Sequence, residues 1–376
     1  MASVGSLEYK SRHPQALPPI LQPPVISQSS SSSLFNMGNK YVLVTGVSGF
    51  LGGHIAYQLL ESGRCVRATS RSGKVAQVRE AYAQYGDKYD VIVVDDFVNG
   101  DFSDALKDVE AVVHAAAPMP SGSIESAEQA LDVAINGSLN IFRQAEQAGV
   151  KNFAYVSSII AINMTGPPPW SDQSWNPVKK EDAMKATELF VIYAAEKTFA
   201  ERAVWDFADK HPHVEMMTVN PGFLYGPFSP GYRNDNASEI GLSTNSYIYG
   251  LIHSDGHIAP NPSFADVRDV AKAIVIGLGA PPTAKVGRKR ILITGEWFSA
   301  KDAVEYIARV RPELKDRLSK EALTAGPAPP TPIDNKRATE ALGITEFTSW
   351  KDSVIAAVDD LLKLERDWKA KGLNLT

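Results

Sequence analysis

Tyr193 and Lys197 are the pair of residues in this chain whose types and spacing most clearly suggest chemistry. They stand four residues apart in the stretch YAAEK, and side chains at that spacing lie on one face of a helix. A cation held near a tyrosine favours the phenolate and lowers the pKa of the phenol, which suits a proton donor to a carbonyl oxygen near neutral pH. Because the same spacing occurs on many solvated helices, the interpretation depends on the motifs around the pair.

A glycine-rich turn precedes this pair in the sequence. The stretch TGVSGFLG, residues 45–52, follows an apolar run and leads into the first predicted helix. Its glycines have the spacing G-x-x-G-x-x-G, with one more residue between the first two than in the commoner fingerprint. Glycine lets the backbone approach a pyrophosphate at a helix N-terminus, so we expect a dinucleotide site here rather than a plain turn. The residues expected to bind are Gly46, Gly49, Phe50, Leu51 and Gly52.

The end of the second predicted strand indicates which nicotinamide cofactor is bound. NAD-binding proteins usually place an acid there to hold the ribose 2′-hydroxyl, whereas an arginine accommodates the 2′-phosphate of NADP. This chain has RATSR at residues 67–71, with no acid and with Arg71 just beyond the strand. The sequence therefore predicts NADPH as the cofactor. A solvated surface cation is the alternative interpretation of Arg71.

Three further loops follow predicted strands. Asp96 comes after the third strand, where a loop would flank the adenine. Ser157 and Ser158 end the fifth strand, where a hydroxyl faces the ligand crevice of such a sheet, although a serine there can also cap the next segment. The small residues after the fourth strand would let the backbone lie against the nicotinamide, or would simply pack in the core: Ala115, Ala116 and Ala117.

Strands and helices alternate from Lys40 onward. We predict strands at 41–44, 65–69, 91–94, 111–113, 153–156 and 216–219, and helices at 55–60, at 124–148 and around Tyr193. This alternation predicts an α/β fold with a Rossmann-type doubly wound parallel sheet. Beyond about Pro221 the pattern loosens, which predicts a smaller C-terminal substrate lobe. We place the nucleotide-binding domain at 39–225 and the lobe mainly at 226–376, with segments returning to the core.

Composition limits the classes of function. The chain has 376 residues, of which 44% are hydrophobic and 22% charged, as in an ordinary soluble globular protein. The net charge of -5 argues against nucleic acid or an anionic membrane as partner. The single cysteine, Cys65, lies in an apolar run, which predicts a core position and a reducing compartment. We expect a cytoplasmic monomer or homodimer that takes a small-molecule substrate, with no metal and no membrane-spanning helix.

The first 38 residues differ from the rest. They are rich in serine and proline, including the serine run 29–33, and show little periodicity. Such a composition predicts disorder. The scarcity of acidic residues weakly resembles an organellar transit peptide, so targeting is the alternative to a cytoplasmic location. A start at Met37 would remove this segment.

The motifs in their order resemble those of the extended short-chain dehydrogenases/reductases. Within that superfamily the chain is similar to the dihydroflavonol 4-reductase-like branch, which includes plant flavonoid reductases and fungal NADPH-dependent aldehyde and ketone reductases. The resemblance covers about residues 40 to 365. It rests on the stretches VTGVSGFLG, VRATSRS, VVHAAAPM, YVSS, YAAEK, NPGFLYGP and VRDVA, together with Trp175-Asn176 and the late DNKR and LG segments.

This resemblance implies roles for individual residues. A Ser-Tyr-Lys triad falls on Ser158, Tyr193 and Lys197, with the lysine also binding the nicotinamide ribose. The loop at Pro221 would face the nicotinamide, and Asn163 matches a substrate-contacting asparagine of flavonoid reductases. The residues after Asn163 depart from the flavonoid reductase pattern, so flavonoid specificity does not carry over. Many extended relatives also have an asparagine where this chain has Ala134, which puts a proton relay through that position in doubt.

The resulting expectation is an NADPH-dependent reductase of an aldehyde or ketone. Ser158 would hydrogen-bond the substrate carbonyl, and Tyr193 would donate the proton. Two alternatives stay open at this point: an epimerase, dehydratase or dehydrogenase acting on a sugar nucleotide or sterol, and a non-catalytic NADP-sensing regulator. A dehydratase needs an added acid–base pair near the serine, and Ser158-Ile159-Ile160 supplies no carboxylate.

Overall fold

The computed structural model describes residues 40–117, 126–162, 168–259, 263–326 and 332–375. The predicted tail 1–38 and the predicted substrate residue Asn163 lie outside these ranges. Among the described helices, none is both long and apolar enough to cross a membrane.

A seven-stranded parallel sheet forms the centre of the molecule. In the order β3-β2-β1-β4-β5-β6-β9, every neighbouring pair is parallel, which is the strand order of a doubly wound dinucleotide-binding sheet. Two short strands, β7 and β8, pair separately. The strands are β1 Tyr41–Thr45, β2 Cys65–Ser70, β3 Tyr89–Val93, β4 Val109–His114, β5 Asn152–Val156, β6 Glu215–Pro221, β7 Phe223–Tyr225, β8 Phe264–Asp266 and β9 Lys289–Ile293.

Helices connect the strands and cover both faces of the sheet. They are α1 Phe50–Glu61, α2 Val75–Ala81, α3 Ala127–Gln147, α4 Lys180–Ala183, α5 Leu189–Lys210, α6 Asn245–Leu251, α7 Val267–Gly277, α8 Thr283–Val286, α9 Ala300–Val310, α10 Lys320–Thr324, α11 Lys336–Leu342 and α12 Trp350–Ala370.

The alternation of side chains along β1 explains why helices cover both faces of the sheet. Val42 and Val44 belong to one apolar core, which α1, α7 and α11 complete. Leu43 points to the other face and belongs to a second core, with residues of α3 and α5. Because successive side chains of a strand point to opposite faces, an almost wholly apolar strand such as β1 must be buried on both sides. Cys65 is buried, as predicted.

The chain after β6 builds a separate apolar core. Residues of α6, α9 and α12 pack around Phe264 and Phe298 there. The strand β9, which was not among the predicted strands, lies after Pro221 in sequence and joins the main sheet beside β6. Its first residues, Lys289 and Arg290, resemble a surface segment in sequence but are 3% and 2% exposed. The domain boundary near residue 225 stays a prediction.

Candidate active site

The glycine turn after β1 is built by close backbone contacts. Gly46 has a φ of +77°, and a Cβ there would lie 2.8 Å from the amide nitrogen of Ala116. A Cβ on Gly52 would lie 2.0 Å from the Gly46 carbonyl oxygen. Both positions therefore require glycine, the first for its conformation and for space, the second so that α1 can pack against the turn.

The N-terminus of α1 is suited to an anion. The helix begins at Phe50, five residues earlier than predicted, with Gly49 at its N-cap. No side chain caps this end, and its first turn contains no acidic residue. The first N–H groups of a helix have no intrahelical partner, and the helix dipole adds positive potential there. The backbone at Phe50 and Leu51 therefore fits the diphosphate of a dinucleotide.

Thr45, for which the sequence predicted no role, joins this turn to the loop after β4. Its Oγ1 accepts hydrogen bonds from the backbone amides of Ala115 and Ala116, at 3.1 and 3.0 Å. The same oxygen lies 2.8 Å from Nδ1 of His114. Burial, with a smaller contribution from the charge of Lys197, lowers the pKa of His114 to about 3. His114 is therefore neutral and structural, and the alanine run is held against the glycine turn.

The two arginines around β2 have different surroundings. The Arg67 guanidinium is turned inward, with Nε 2.8 Å from Asp90 Oδ2. Arg71 lies just after the strand and is exposed, and its guanidinium has no ion-pair partner within the described ranges. A free, exposed guanidinium at this position fits a 2′-phosphate. The Asp96 carboxylate already accepts hydrogen bonds from the amides of Val98 and Asn99 in its own loop.

The two serines after β5 are distinguished by their partners. Ser157 is 3% exposed, and its hydroxyl donates to Glu201 Oε2 at 2.6 Å. Ser158 is less buried; its hydroxyl accepts from the amide of Ile160 at 3.2 Å. The Ser158 side chain is also near enough to Tyr193 to lower the pKa of the phenol. Of the two, Ser158 is therefore the one placed to share a substrate oxygen with the tyrosine.

Tyr193 and Lys197 lie one turn apart on α5, as their spacing predicted. The Lys197 ammonium is 5.9 Å from the centre of the Tyr193 ring, and its Nζ donates to the Val156 carbonyl at 3.3 Å. The structure thus brings Ser158, Tyr193 and Lys197 together at the carboxyl end of β5. Their catalytic roles stay predictions.

The electrostatics of this group differ from the expectation in one respect. Burial lowers the pKa of Lys197 to about 8. The pKa of Tyr193 is raised rather than lowered, because burial of the phenol, aided by the charge of Glu196, outweighs the opposing effect of Ser158. The expected lowering of the Tyr193 pKa by Lys197 is therefore wrong, because burial of the phenol dominates.

Glu196 is a buried acid beside the lysine, and the sequence predicted no role for it. The residue is 2% exposed, and its Oε1 has no hydrogen-bond partner among the described residues. Burial raises the pKa of this carboxyl to about 7, against the opposing effect of Lys197. The signal available in the sequence is an acid in an otherwise apolar segment, after Ala194 and Ala195.

A second group of buried polar residues is hydrogen-bonded to the backbone of Ser158. Glu201 accepts from Asn220 Nδ2 at 2.7 Å, and Asn220 also donates to the Ser158 carbonyl at 3.2 Å. Arg290 on β9 pairs with Glu201 and donates to the carbonyls of Asp172 and Ala161. The network links α5, β6, β9 and the segment after β5 that contains Ser158.

The remaining predicted features lie around this network. Pro221 is buried at the end of β6 and pairs with Ile293 of β9, so it stands at the same sheet edge as Ser158. Trp175 stacks on the Arg290 guanidinium at 3.7 Å. Asn176 donates through its side chain to the Ile160 carbonyl at 2.8 Å. The Trp175-Asn176 segment therefore holds the chain that follows Ser158.

Comparisons with known proteins show the family of the chain. A model described as the NAD dependent epimerase/dehydratase family matches residues 42–291. The chain is similar to a ketoreductase of Penicillium roqueforti, with 33% identity over 282 residues, which cover 72% of this chain and 80% of that protein. It is also similar to an NADPH-dependent methylglyoxal reductase of Saccharomyces cerevisiae, with 26% identity over 86% of this chain and 98% of that protein.

Solved structures share the fold. The structure of yeast methylglyoxal/isovaleraldehyde reductase complexed with NADPH superposes with a TM-score of 0.74. Its sequence is 24% identical, and the match covers 87% of this chain and 99% of that chain. The fold shared with this reductase therefore extends over most of the chain.

Proposed function

The chain belongs to the NAD-dependent epimerase/dehydratase family, and on that basis we propose that it is an NADPH-dependent reductase of aldehydes or ketones. The observation that carries the proposal is the grouping of Ser158, Tyr193 and Lys197 at the carboxyl edge of the sheet, next to the glycine turn. The named activities of two relatives, a ketoreductase and a methylglyoxal reductase, support the carbonyl class of substrate.

NADPH fits the residues that line this edge. The turn at Gly46 and the uncapped N-terminus of α1 would hold the diphosphate, and Arg71 the 2′-phosphate. Ala115 to Ala117 and Pro221 would lie along the nicotinamide half. The dihydronicotinamide supplies a hydride to the substrate's carbonyl carbon when it is bound.

The protein's own residues account for the rest of the reaction. The Ser158 hydroxyl and the Tyr193 phenol are near each other, so both would donate to a substrate oxygen placed between them. The raised pKa of Tyr193 keeps the phenol protonated near pH 7, which suits a group that must give its proton to the forming alkoxide. Lys197 carries a positive charge at that pH and stabilises the phenolate that is left behind.

The experiment that tests this proposal uses NADPH labelled with deuterium on the transferable position of its nicotinamide. The purified protein is incubated with a panel of aldehydes, ketones and sugar nucleotides, and products are examined by mass spectrometry and NMR. We expect equimolar loss of NADPH and deuterium on the carbinol carbon of the product.

Two results would contradict the proposal, and each points to an alternative. Conversion of a sugar nucleotide with no net consumption of NADPH indicates an epimerase or dehydratase. Tight NADPH binding without turnover of any panel member indicates a regulator that senses the cofactor.

A further inference from the structure

Glu196 has surroundings that the proposed reduction does not explain. The side chain lines a small cavity together with Lys197, Tyr155, Ser138 and the alanines at 116, 117 and 134. A carboxylate in such a place is costly unless it is hydrogen-bonded or can take up a proton. Because Glu196 Oε1 has no partner among the residues the structure describes, the second possibility applies.

The cavity connects this carboxyl with the lysine. Its volume is about 10 Å³, which is about the space that the centre of one water molecule needs. Glu196 and Lys197 both contribute to its wall, and among the described residues no ion pair joins them, so a proton would pass between the carboxyl and the ammonium through one water in this cavity. Ser138 donates its hydroxyl to the Ala134 carbonyl at 2.8 Å, and Ala134 has no polar side chain, so α3 supplies no acid on the opposite wall.

The proposed reduction requires such an exchange. Each turnover removes a proton from Tyr193, and the site must regain that proton before the next substrate is reduced. We propose that the carboxyl of Glu196 returns this proton through Lys197. The inference rests on the proposed function. Because Glu196 acts through the lysine and does not touch the substrate, its role is that of a relay and positioning residue.

The steps balance without a further reactant. The O–H bond of Tyr193 breaks as its proton joins the product oxygen. An N–H bond of Lys197 then breaks and the tyrosine O–H bond is rebuilt, and the O–H bond of Glu196 breaks to rebuild the ammonium. A proton from solvent restores the carboxylic acid, so one solvent proton is consumed for each carbonyl reduced.

The charged groups around Glu196 are compatible with this role. On α5 these are Lys197 and Tyr193, with Glu201 one turn farther on; β5 and β4 contribute Tyr155 and the neutral His114. Burial raises the pKa of Glu196 to about 7 and lowers the pKa of Lys197 to about 8. Groups with such similar pKa values exchange a proton at little cost in free energy.

Glu196→Gln tests the relay, and pH 6 is the decisive condition. At pH 6 the glutamic acid is mainly uncharged and has the same shape as the amide, so the two proteins differ mainly in whether this side chain can give up a proton. If Glu196 acted through its charge alone, the two proteins would turn over equally at this pH. The relay predicts a kcat at least about tenfold lower in the variant, since a lost proton transfer costs about 10²-fold or more when it is direct.

The first turnover gives a second, independent readout. Protein mixed beforehand with NADPH and then with excess carbonyl substrate has a proton on Tyr193, so Glu196→Gln should keep the wild-type rate of the first turnover and slow only the later ones. Glu196→Asp should recover part of the steady-state rate. Glu188→Gln removes an exposed acid at the start of the same helix and should behave like wild type.

The outcomes separate the two proposals. A wild-type protein with no turnover overturns the proposed function. If the wild type is active and Glu196→Gln has the same kcat at pH 6, the relay is overturned but the proposed function is not. The same conclusion follows if the first turnover of the variant is slowed as much as the later ones. Infrared difference spectra should also show a protonated carboxyl at pH 6 that is missing in Glu196→Gln, and the absence of this band in wild type would equally contradict the relay.

Discussion

The carboxylate of Glu201 and the guanidinium of Arg290 form an ion pair inside the protein, with Nε 2.6 Å from Oε1 and side chains 0% and 2% exposed. Glu201 lies one turn after Lys197 on α5, and Arg290 lies on the edge strand β9. The pair therefore connects α5, the helix that carries Tyr193 and Lys197, to β9 at the edge of the sheet.

Removal of one partner from this pair should strongly destabilise the protein. Arg290→Met leaves a buried carboxylate unpaired, which costs about 3–5 kcal/mol in the free energy of unfolding. The double variant Glu201→Met, Arg290→Met should recover a large part of that loss. Urea unfolding of the wild type, both single variants and the double variant measures the coupling. The exposed pair Arg64–Glu110 is the control, since Arg64→Met should cost no more than about 1 kcal/mol; equal losses for both pairs would refute this account.

The Glu201–Arg290 pair also shows why part of the fold could not be predicted from the sequence. The alternating apolar segments and the glycine turn are local signals, and the predictions of a Rossmann-type fold and of the extended reductase family are confirmed. β9 begins with two cations that look solvated, and they are buried because Glu215 and Glu201, more than 70 residues away, neutralise them. A partner so distant in sequence leaves no periodic pattern beside the strand.

The candidate site was predictable to a similar extent. Tyr193 and Lys197 were predicted from type and spacing, the choice of Ser158 came from the family resemblance, and the structure brings the three residues together. The pKa of Tyr193 was predicted in the wrong direction because helix spacing does not report burial. Glu196 was missed because an acid next to a lysine on a helix is usually a solvated neighbour, and only the packed fold removes it from water. Asn163 stays a prediction.

Arg71 should determine the choice between the two nicotinamide cofactors. The 2′-phosphate carries nearly two negative charges and can form paired hydrogen bonds with a guanidinium. Because a charge-assisted hydrogen bond contributes about 1.5–3 kcal/mol, Arg71→Ala should weaken NADPH binding by roughly ten- to a hundredfold and leave NADH binding nearly unchanged. Dissociation constants for both cofactors decide the matter. Arg143→Ala, another exposed arginine, should change neither; a wild type that prefers NADH would show that the assignment is mistaken.

Glu196 should also make stability depend on pH. Its pKa is raised from 4.5 to about 7 in the folded protein, so the folded state binds more protons than the unfolded state between those values. The free energy of unfolding should therefore fall as the pH rises from 4.5 to 7, by at most about 1.4 kcal/mol per pH unit. Glu196→Gln should lose this slope and be more stable than wild type above pH 7. Urea unfolding across this range checks the prediction, and parallel curves for the two proteins would refute it.

The most direct test of the central claim is Tyr193→Phe, which removes one hydroxyl and little else. NADPH affinity should change little, while kcat for carbonyl reduction should fall by roughly 10²–10⁴-fold, as for other lost general acids. Tyr85→Phe is the matched control, because that hydroxyl contacts Glu61 at the protein surface and should leave kcat unchanged. A Tyr193→Phe enzyme that binds NADPH and reduces the substrate at close to the wild-type rate would contradict the role assigned to Tyr193.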